Sequence, residues 1–279
     1  AVQSKFILNI KDRFEEIFVF VALLLLIAIF SIMADNFLST STLFSILSQI
    51  PALTVITIGM TLVLIGGGID LSVGSVAALS GAILGFCASS LEIPILFAGI
   101  LAIIGACLAG LVNGILGSYL KLPVFIVTLG MLEASRGLAY LVSDSQTVYI
   151  GPSVQVLALP ISGLGLSISF LISISLVLLA HLVITRTTFG RYLIAIGTNE
   201  QAARISGIRP EPILAGALIV SGLLAGLGGV MNTAYLGASD PNAGIGLELS
   251  AIAAAVIGGT SLMGGRGSIL GAFLGVLII

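Results

Sequence analysis

Apolar residues run along the chain in blocks suited to crossing a bilayer, interrupted by short polar or glycine-rich connections. The blocks cover about 17–33, 43–65, 73–90, 95–119, 123–142, 167–185, 212–236, 248–263 and 267–279, and about twenty apolar residues suffice for one helical span. Nine helices or half-helices are therefore expected, with Pro51 placed to kink or split the second. Residues 1–16 differ. There Phe6, Ile7, Ile10 and Phe14 recur at helical spacing between charged residues, the pattern of a helix lying in the cytoplasmic interface. The block 17–33 is too long for the core of a cleaved leader, and acids precede it, so it is read as a first span.

The connection Ile65-Gly66-Gly67-Gly68-Ile69-Asp70-Leu71-Ser72-Val73-Gly74-Ser75 organises this pattern. Each glycine disfavours a helix interior by roughly 1 kcal/mol relative to alanine, so the arriving helix unwinds here and a new one starts just after. Asp70 or Ser72 can cap the new helix through a side-chain oxygen. Irregular backbone at membrane depth survives only where it packs in protein or lines a polar cavity, and transporters commonly place their substrate path at such breaks. Asp70 therefore reads both as a cap and as a path-lining residue. Either way it must avoid lipid, which would cost about 2.5–3.5 kcal/mol.

Hydrophobic residues make up 58% of the chain and charged ones 8%, against about 25% charged in soluble domains. The fold class is all-α: a polytopic transmembrane helical bundle with broken or re-entrant helices, forming one domain over 1–279. Glycines spaced four apart within blocks, at 81 and 85, 110 and 114, 222 and 226, and 271 and 275, read as sites of close helix packing. Cys87 and Cys107 lie in apolar runs and read as small hydrophobes. The net charge of −2 gives no footing for nucleic acid, and nothing implies a metal or cofactor.

Lysine and arginine in short loops stay on the cytoplasmic side. Lys5, Lys11 and Arg13 place the N-terminus there, and alternation then sends the loops of Asp35, Glu92, Asp144 and Asp240 outward, while Lys121, Arg186, Arg191, Arg204, Arg209 and Arg266 fall inside. Only Arg136 stands apart. The segment 143–166, with Tyr149, Pro152 and Pro160, becomes the largest external surface and reads either as contact for a delivering protein or as a cap on the bundle.

Residues 185–211 form a long cytoplasmic connection. Asn199 can cap a short helix running through Glu200, Gln201, Ala202, Ala203, Arg204 and Ile205, and Gly207 can end it. Two turns of helix are marginal alone. The element reads as a plug for another protein's groove, or as a helix lying on lipid, and proline at Glu200 is expected to break it. An internal echo links Ile65-Gly66-Gly67 and Gly74-Ser75 to Ile257-Gly258-Gly259 and Gly267-Ser268, as parallel repeats. Among polar groups within the spans, Glu133 and Arg136 can neutralise each other at three-residue spacing. Asn113, Asn232 and Glu248 can bond either solute hydroxyls or neighbouring helices, and His181 reads as interfacial.

Three stretches carry a family resemblance: Gly67 to Ser75; Phe189-Gly190-Arg191-Tyr192 through Ala195-Ile196-Gly197 and Asn199-Glu200 to Gly207-Ile208; and Glu248 to Gly259. In this order and spacing they resemble the ribose-type permeases of bacterial ABC sugar importers, over nearly the whole chain. The resemblance implies a permease subunit of the inner membrane that translocates a monosaccharide by alternating access. It also implies a second permease subunit, a cytoplasmic ABC ATPase, an external sugar-binding protein and surrounding membrane lipid as partners. Substrate-path candidates are then Asp70, Ser72, Asn113, Arg136, Asn232 and Glu248. Arg191, Tyr192, Gly197, Asn199, Glu200, Ala202, Ala203 and Gly207 become candidates for ATPase coupling. Arg136-Gly137 follows the family's pattern and Glu133 does not. Because the family continues through further spans beyond the position of Ile279, the chain is expected to be truncated.

No G-x-x-x-x-G-K-[ST] occurs, so ATP must be hydrolysed by a partner; neither His-Glu-x-x-His nor Gly-x-Ser-x-Gly occurs, so no enzyme is expected. The main rival is an ion-coupled secondary transporter of a small polar solute, which would need no plug at 199–207 and would more often pair carboxylates at the midplane.

Overall fold

The computed structural model describes the backbone of residues 2–161, 163 and 165–279, with side chains from Ile17 onward within those ranges. Its long helices are α1 (Val2–Met33), α2 (Thr40–Ile65), α3 (Val73–Ser89), α4 (Ile95–Gly114, continued by a π-helical turn Ile115–Tyr119) and α5 (Val124–Val142). After a two-residue strand β1 (Val148–Tyr149) and one turn α6 (Pro152–Gln155) come α7 (Ile168–Arg186), α8 (Thr188–Thr198), α9 (Glu200–Ile205) and α10 (Pro210–Leu236). Strand β2 (Ala238–Ser239), α11 (Leu247–Ile257) and α12 (Ile269–Ile278) complete the chain. Among the described residues the fold is all-α apart from the antiparallel pair β1–β2, in which Val148 faces Ser239, and one isolated bridge between Pro160 and Ser167.

Among the described residues, nine helical stretches thus coincide with the nine apolar blocks, and five of them are long and apolar enough to cross a membrane. Pro51 does not split α2. Residues 2–16 continue the helix of the first span, and the expectation that they lie in the interface depends on side chains outside the described residues. The connection 185–211 is mostly helical: α8 folds back on α2 and α10, so little of it is loop. Similarly, 143–166 is tied down through β1 and the fully buried Val154.

α10 is the axis of the bundle and packs along α2, α3 and α4. Small residues set its distance. A Cβ on Gly222 would lie 2.7 Å from the Ala106 carbonyl oxygen and from the Gly110 Cα, so the backbones of α4 and α10 touch with no side chain between them. The other glycines of the spaced pairs likewise meet neighbouring elements, Gly81 at Thr233, Gly85 at Ser239 and Gly275 at Ala254.

The echo seen in the sequence is a shared geometry. α2 ends at Gly66 with Gly67 at φ +85° and Gly68 N–H bonded to Val63 C=O at 3.0 Å; α11 ends at Gly258 with Gly259 at φ +88° and Thr260 N–H bonded to Ala255 C=O at 2.9 Å. Both are glycine-terminated helix ends that satisfy their last carbonyls in the same way. At 1.5 Å per residue α2 is about 39 Å long, so its break falls at the end of a completed crossing. The two breaks meet there, where Gly265 N–H donates to Ile65 C=O at 2.9 Å.

Connections segregate by charge. The turns with Lys121, Arg204 and Glu211 line one recess together with Gly66–Gly68, while β1, β2 and the turns near Asp144 and Asp240 gather at the other end. If the close approach of α4 and α10 sets the packing, Gly222→Ala should cost about 1–3 kcal/mol of stability in detergent, and Gly99→Ala, which meets nothing within 4 Å, should cost none. Thermal unfolding of the two variants side by side checks this.

Candidate functional site

Between α2 and α3 the chain is irregular, and where it turns inward the buried donors of Ser72 need acceptors in place of water. Asp70 supplies them. Its Oδ1 accepts from Ser72 N–H at 3.0 Å and from Ser72 Oγ at 2.6 Å, so it shapes the turn that starts α3. Its Oδ2 accepts from Ser221 Oγ of α10 at 2.8 Å. Asn113 of α4 donates through Nδ2 to Ser72 Oγ at 3.0 Å, and Thr128 of α5 donates to the Ile69 carbonyl at 3.0 Å. Asp70, Ser72, Asn113 and Ser221 are each at most 1% exposed.

The structure therefore brings together three of the substrate-path candidates, Asp70, Ser72 and Asn113, but encloses them. Ser72 bonds both of the others, and all three are shielded from solvent in this structure. The side-chain cap expected from Asp70 or Ser72 does not form: Ser72 stands at the N-cap and its side chain accepts from no N–H of α3, while Asp70 bonds Ser72 just ahead of the helix and cross-links it to α10. Ser221 and Thr128 were not singled out from the sequence; an isolated serine or threonine in an apolar run carries no signal of a partner 151 or 59 positions away.

The remaining candidates are dispersed. Glu248, in the first turn of α11, is 9% exposed; its Oε2 has no hydrogen-bond partner among the described residues and lies against the Cα of Gly74, where a side chain would not fit. Asn232 is half-buried beside Thr233 and Asp240 in a small cavity between α3 and α10. The neutralising pair expected at Glu133 and Arg136 does not form: among the described residues the ion pairs are Arg204 with Glu200 and Arg204 with Glu211. Three-residue spacing permits contact, yet Glu133 points outward and is exposed, while Arg136 is half-buried.

At the basic end, a recess of about 300 Å³ is lined by Gly66–Gly68, Lys121, Glu200, Arg204 and Glu211. α9 forms its rim. Asn199 Oδ1 accepts from Ala202 N–H at 2.9 Å, and Gly207 at φ +85° ends the helix, as the sequence implied. Arg204 bonds Glu200 one turn back at 2.9 Å and Glu211 of α10 at 2.7 Å, which fastens α9 to the bundle. Hydrogen bonds to Glu200, then to Glu211, raise the guanidinium further above its ordinary value.

The coupling candidates divide by orientation. Arg191, Tyr192, Asn199, Glu200, Ala202 and Gly207 are exposed. Ala203 is 5% exposed and Gly197 packs on the Ile65 carbonyl and the Gly265 amide, so these two face the bundle. Two residues not singled out from the sequence stand out by exposure: Ile205 on α9 is 83% exposed, and Met263, beside the Gly264–Gly265 turn that packs on Thr198, is 88% exposed. Both are apolar among arginines.

These features define a polytopic helical membrane permease with a projecting element at one end. The chain belongs to the family of the branched-chain amino acid transport system / permease component, whose model matches residues 42–279. It is 38% identical to the ribose import permease protein of Haemophilus influenzae over 93% of this chain and 81% of that protein. It is 36% identical to the D-allose transport system permease protein of Escherichia coli, over 96% and 82% of the two chains. With the autoinducer 2 import system permease protein of Photorhabdus luminescens it shares 35% identity over 98% and 82%. No solved structure matches the chain.

If Asp70 is a lock, Asp70→Ala strands several buried donors at about 1–3 kcal/mol each and should severely destabilise the protein. Asp70→Asn keeps an acceptor for Ser72 and should retain most of the stability. Melting temperatures in detergent decide the matter; an Asp70→Ala protein as stable as the parent but dead in transport would assign the residue to the path.

Proposed function

We propose that the chain is the membrane-spanning subunit of an ATP-driven importer of a monosaccharide or a similarly hydroxylated solute, working beside a second permease subunit in a bacterial inner membrane. The relatives named for ribose, allose and autoinducer 2 support the solute class. ATP is hydrolysed by a cytoplasmic partner seated on α9, the basic end faces the cytoplasm with the N-terminus, and an external binding protein delivers solute at the end carrying 143–166.

One observation carries this reading. α9 offers an exposed apolar residue to the basic end while the helix before it, α8, abuts both helix breaks through Gly197. A push on α9 therefore reaches Ile65 and Gly265 together, and through them α2 and the turn ahead of α12. The packed helices then move as bodies, opening the path to one face and then the other.

Ile205→Asp tests the coupling. Glu200→Pro, suggested by the sequence, discriminates poorly because Glu200 is the first helical residue, where proline is tolerated. The expected result is normal membrane insertion, loss of the co-purifying ATPase and at least a tenfold fall in ATP-dependent sugar uptake in proteoliposomes. Uptake unchanged, or driven by a proton gradient without any ATPase, would reject the proposal.

A further inference from the structure

Helices α4, α5 and α7 all leave much of their surface uncovered by the rest of the chain. Their uncovered faces differ in chemistry. α4 exposes Leu96, Phe97, Ile100, Leu101, Ile104 and Leu108, and α7 exposes Leu171, Leu178, Leu179 and Leu182, as surfaces meeting lipid should.

α5 also exposes apolar residues, Phe125, Ile126, Leu129, Leu138 and Leu141, but a carboxylate stands among them. Glu133, the tenth of its 19 residues, is exposed and has no ion-pair or hydrogen-bond partner among the described residues. About 14 Å of helix separates it from either end, too far for a short carboxylate side chain to reach an interface. Arg136 follows one turn on, half-buried and also without a carboxylate partner among the described residues. One turn further, Tyr140 donates its hydroxyl to Asn242 Oδ1 at 2.6 Å, and Asn242 N–H in turn bonds Asp240 at 2.8 Å. Positions 133, 136 and 140 share one helix face. Beside them Gly130 and Gly137 open onto empty space, with no atom within 4 Å of where a side chain would begin.

An unpaired carboxylate at the middle of a span is strongly disfavoured against lipid. We infer that the α5 face from Glu133 through Arg136 and Tyr140 to Asn242 is a solvated wall of the solute path, and that Glu133 is a specificity-determining residue on it. The wall lies outside the Asp70 lock, on the surface that a second subunit would enclose. Glu133 accepts hydrogen bonds from solute hydroxyls and Arg136 donates to solute oxygens, a pairing suited to a neutral polyhydroxylated molecule. The inference rests on the transport reading above for the identity of the solute, whereas solvation of the face can be measured without transport.

In a Cys87→Ala, Cys107→Ala background, Glu133→Cys, Leu101→Cys and Leu178→Cys are each exposed in membranes to the impermeant reagent 2-(trimethylammonium)ethyl methanethiosulfonate. Glu133→Cys should react at least tenfold faster than the two lipid-facing controls, whether or not an ATPase is present. Reaction at the controls' rate would overturn the inference, since the face would then be covered by lipid or by dry protein. In the assembled transporter, Glu133→Leu should cut sugar uptake at least tenfold and Glu133→Gln, which keeps an acceptor, should lose less. Full uptake by Glu133→Leu would remove the specificity role.

Discussion

The turn that joins α2 to α3 runs from the exposed Gly67 to the buried Asp70 and Ser72, and the way its buried groups find partners constrains the rest of the bundle. The glycine turn closes α2 by internal bonds. α3 has no such device at its start and depends on the carboxylate of Asp70. A buried carboxylate is tolerable only when several donors converge on it, and those donors come directly from α10 and, through Ser72, from α4. They can arrive only if α4 and α10 lie very close, which Gly110 and Gly222 permit. The polar lock and the glycine seam are thus one requirement met from two sides.

The second break solves the same problem without an acid. α11 ends like α2, but Ser268 caps the following helix by accepting from Gly271 N–H at 3.0 Å. The longer connection between them carries Gly264 and Gly265, whose positive φ values let it fold over Gly67 and Thr198. One copy of the repeat is anchored in the core and the other reaches across to it. α8 is held where they meet.

Features set by neighbouring residues were readable in the sequence. The nine apolar stretches, the break at Gly66–Gly68, the Asn199 cap and the Gly207 stop all follow from local spacing and backbone preference, and the structure reproduces them. What escaped depends on which faces meet. Ser221 completes the Asp70 site from 151 residues away, and nothing in Val220-Ser221-Gly222 distinguishes it from other small residues on α10. Arg204 pairs with Glu211 because α9 folds back on the start of α10. Glu133 and Arg136 share a helix face at favourable spacing, yet among the described residues no ion pair joins them, so spacing alone gave the wrong pair.

These packing facts limit how such a permease can move. A core in which the α4 and α10 backbones touch and a buried carboxylate bonds across helices is costly to deform, because prising the helices apart opens a void or strands a polar group. On the proposed reading, a displacement at α9 is passed through Gly197 to Ile65 and Gly265, which it contacts, and moves the packed helices together. Relative motion must then occur where the helices are not packed on both sides. α5 is such a boundary, with much of its surface uncovered and Glu133 on that side. On the proposed reading, the locked interior makes the bundle rigid enough for a push at one end to change the width of a route that runs along its outer face.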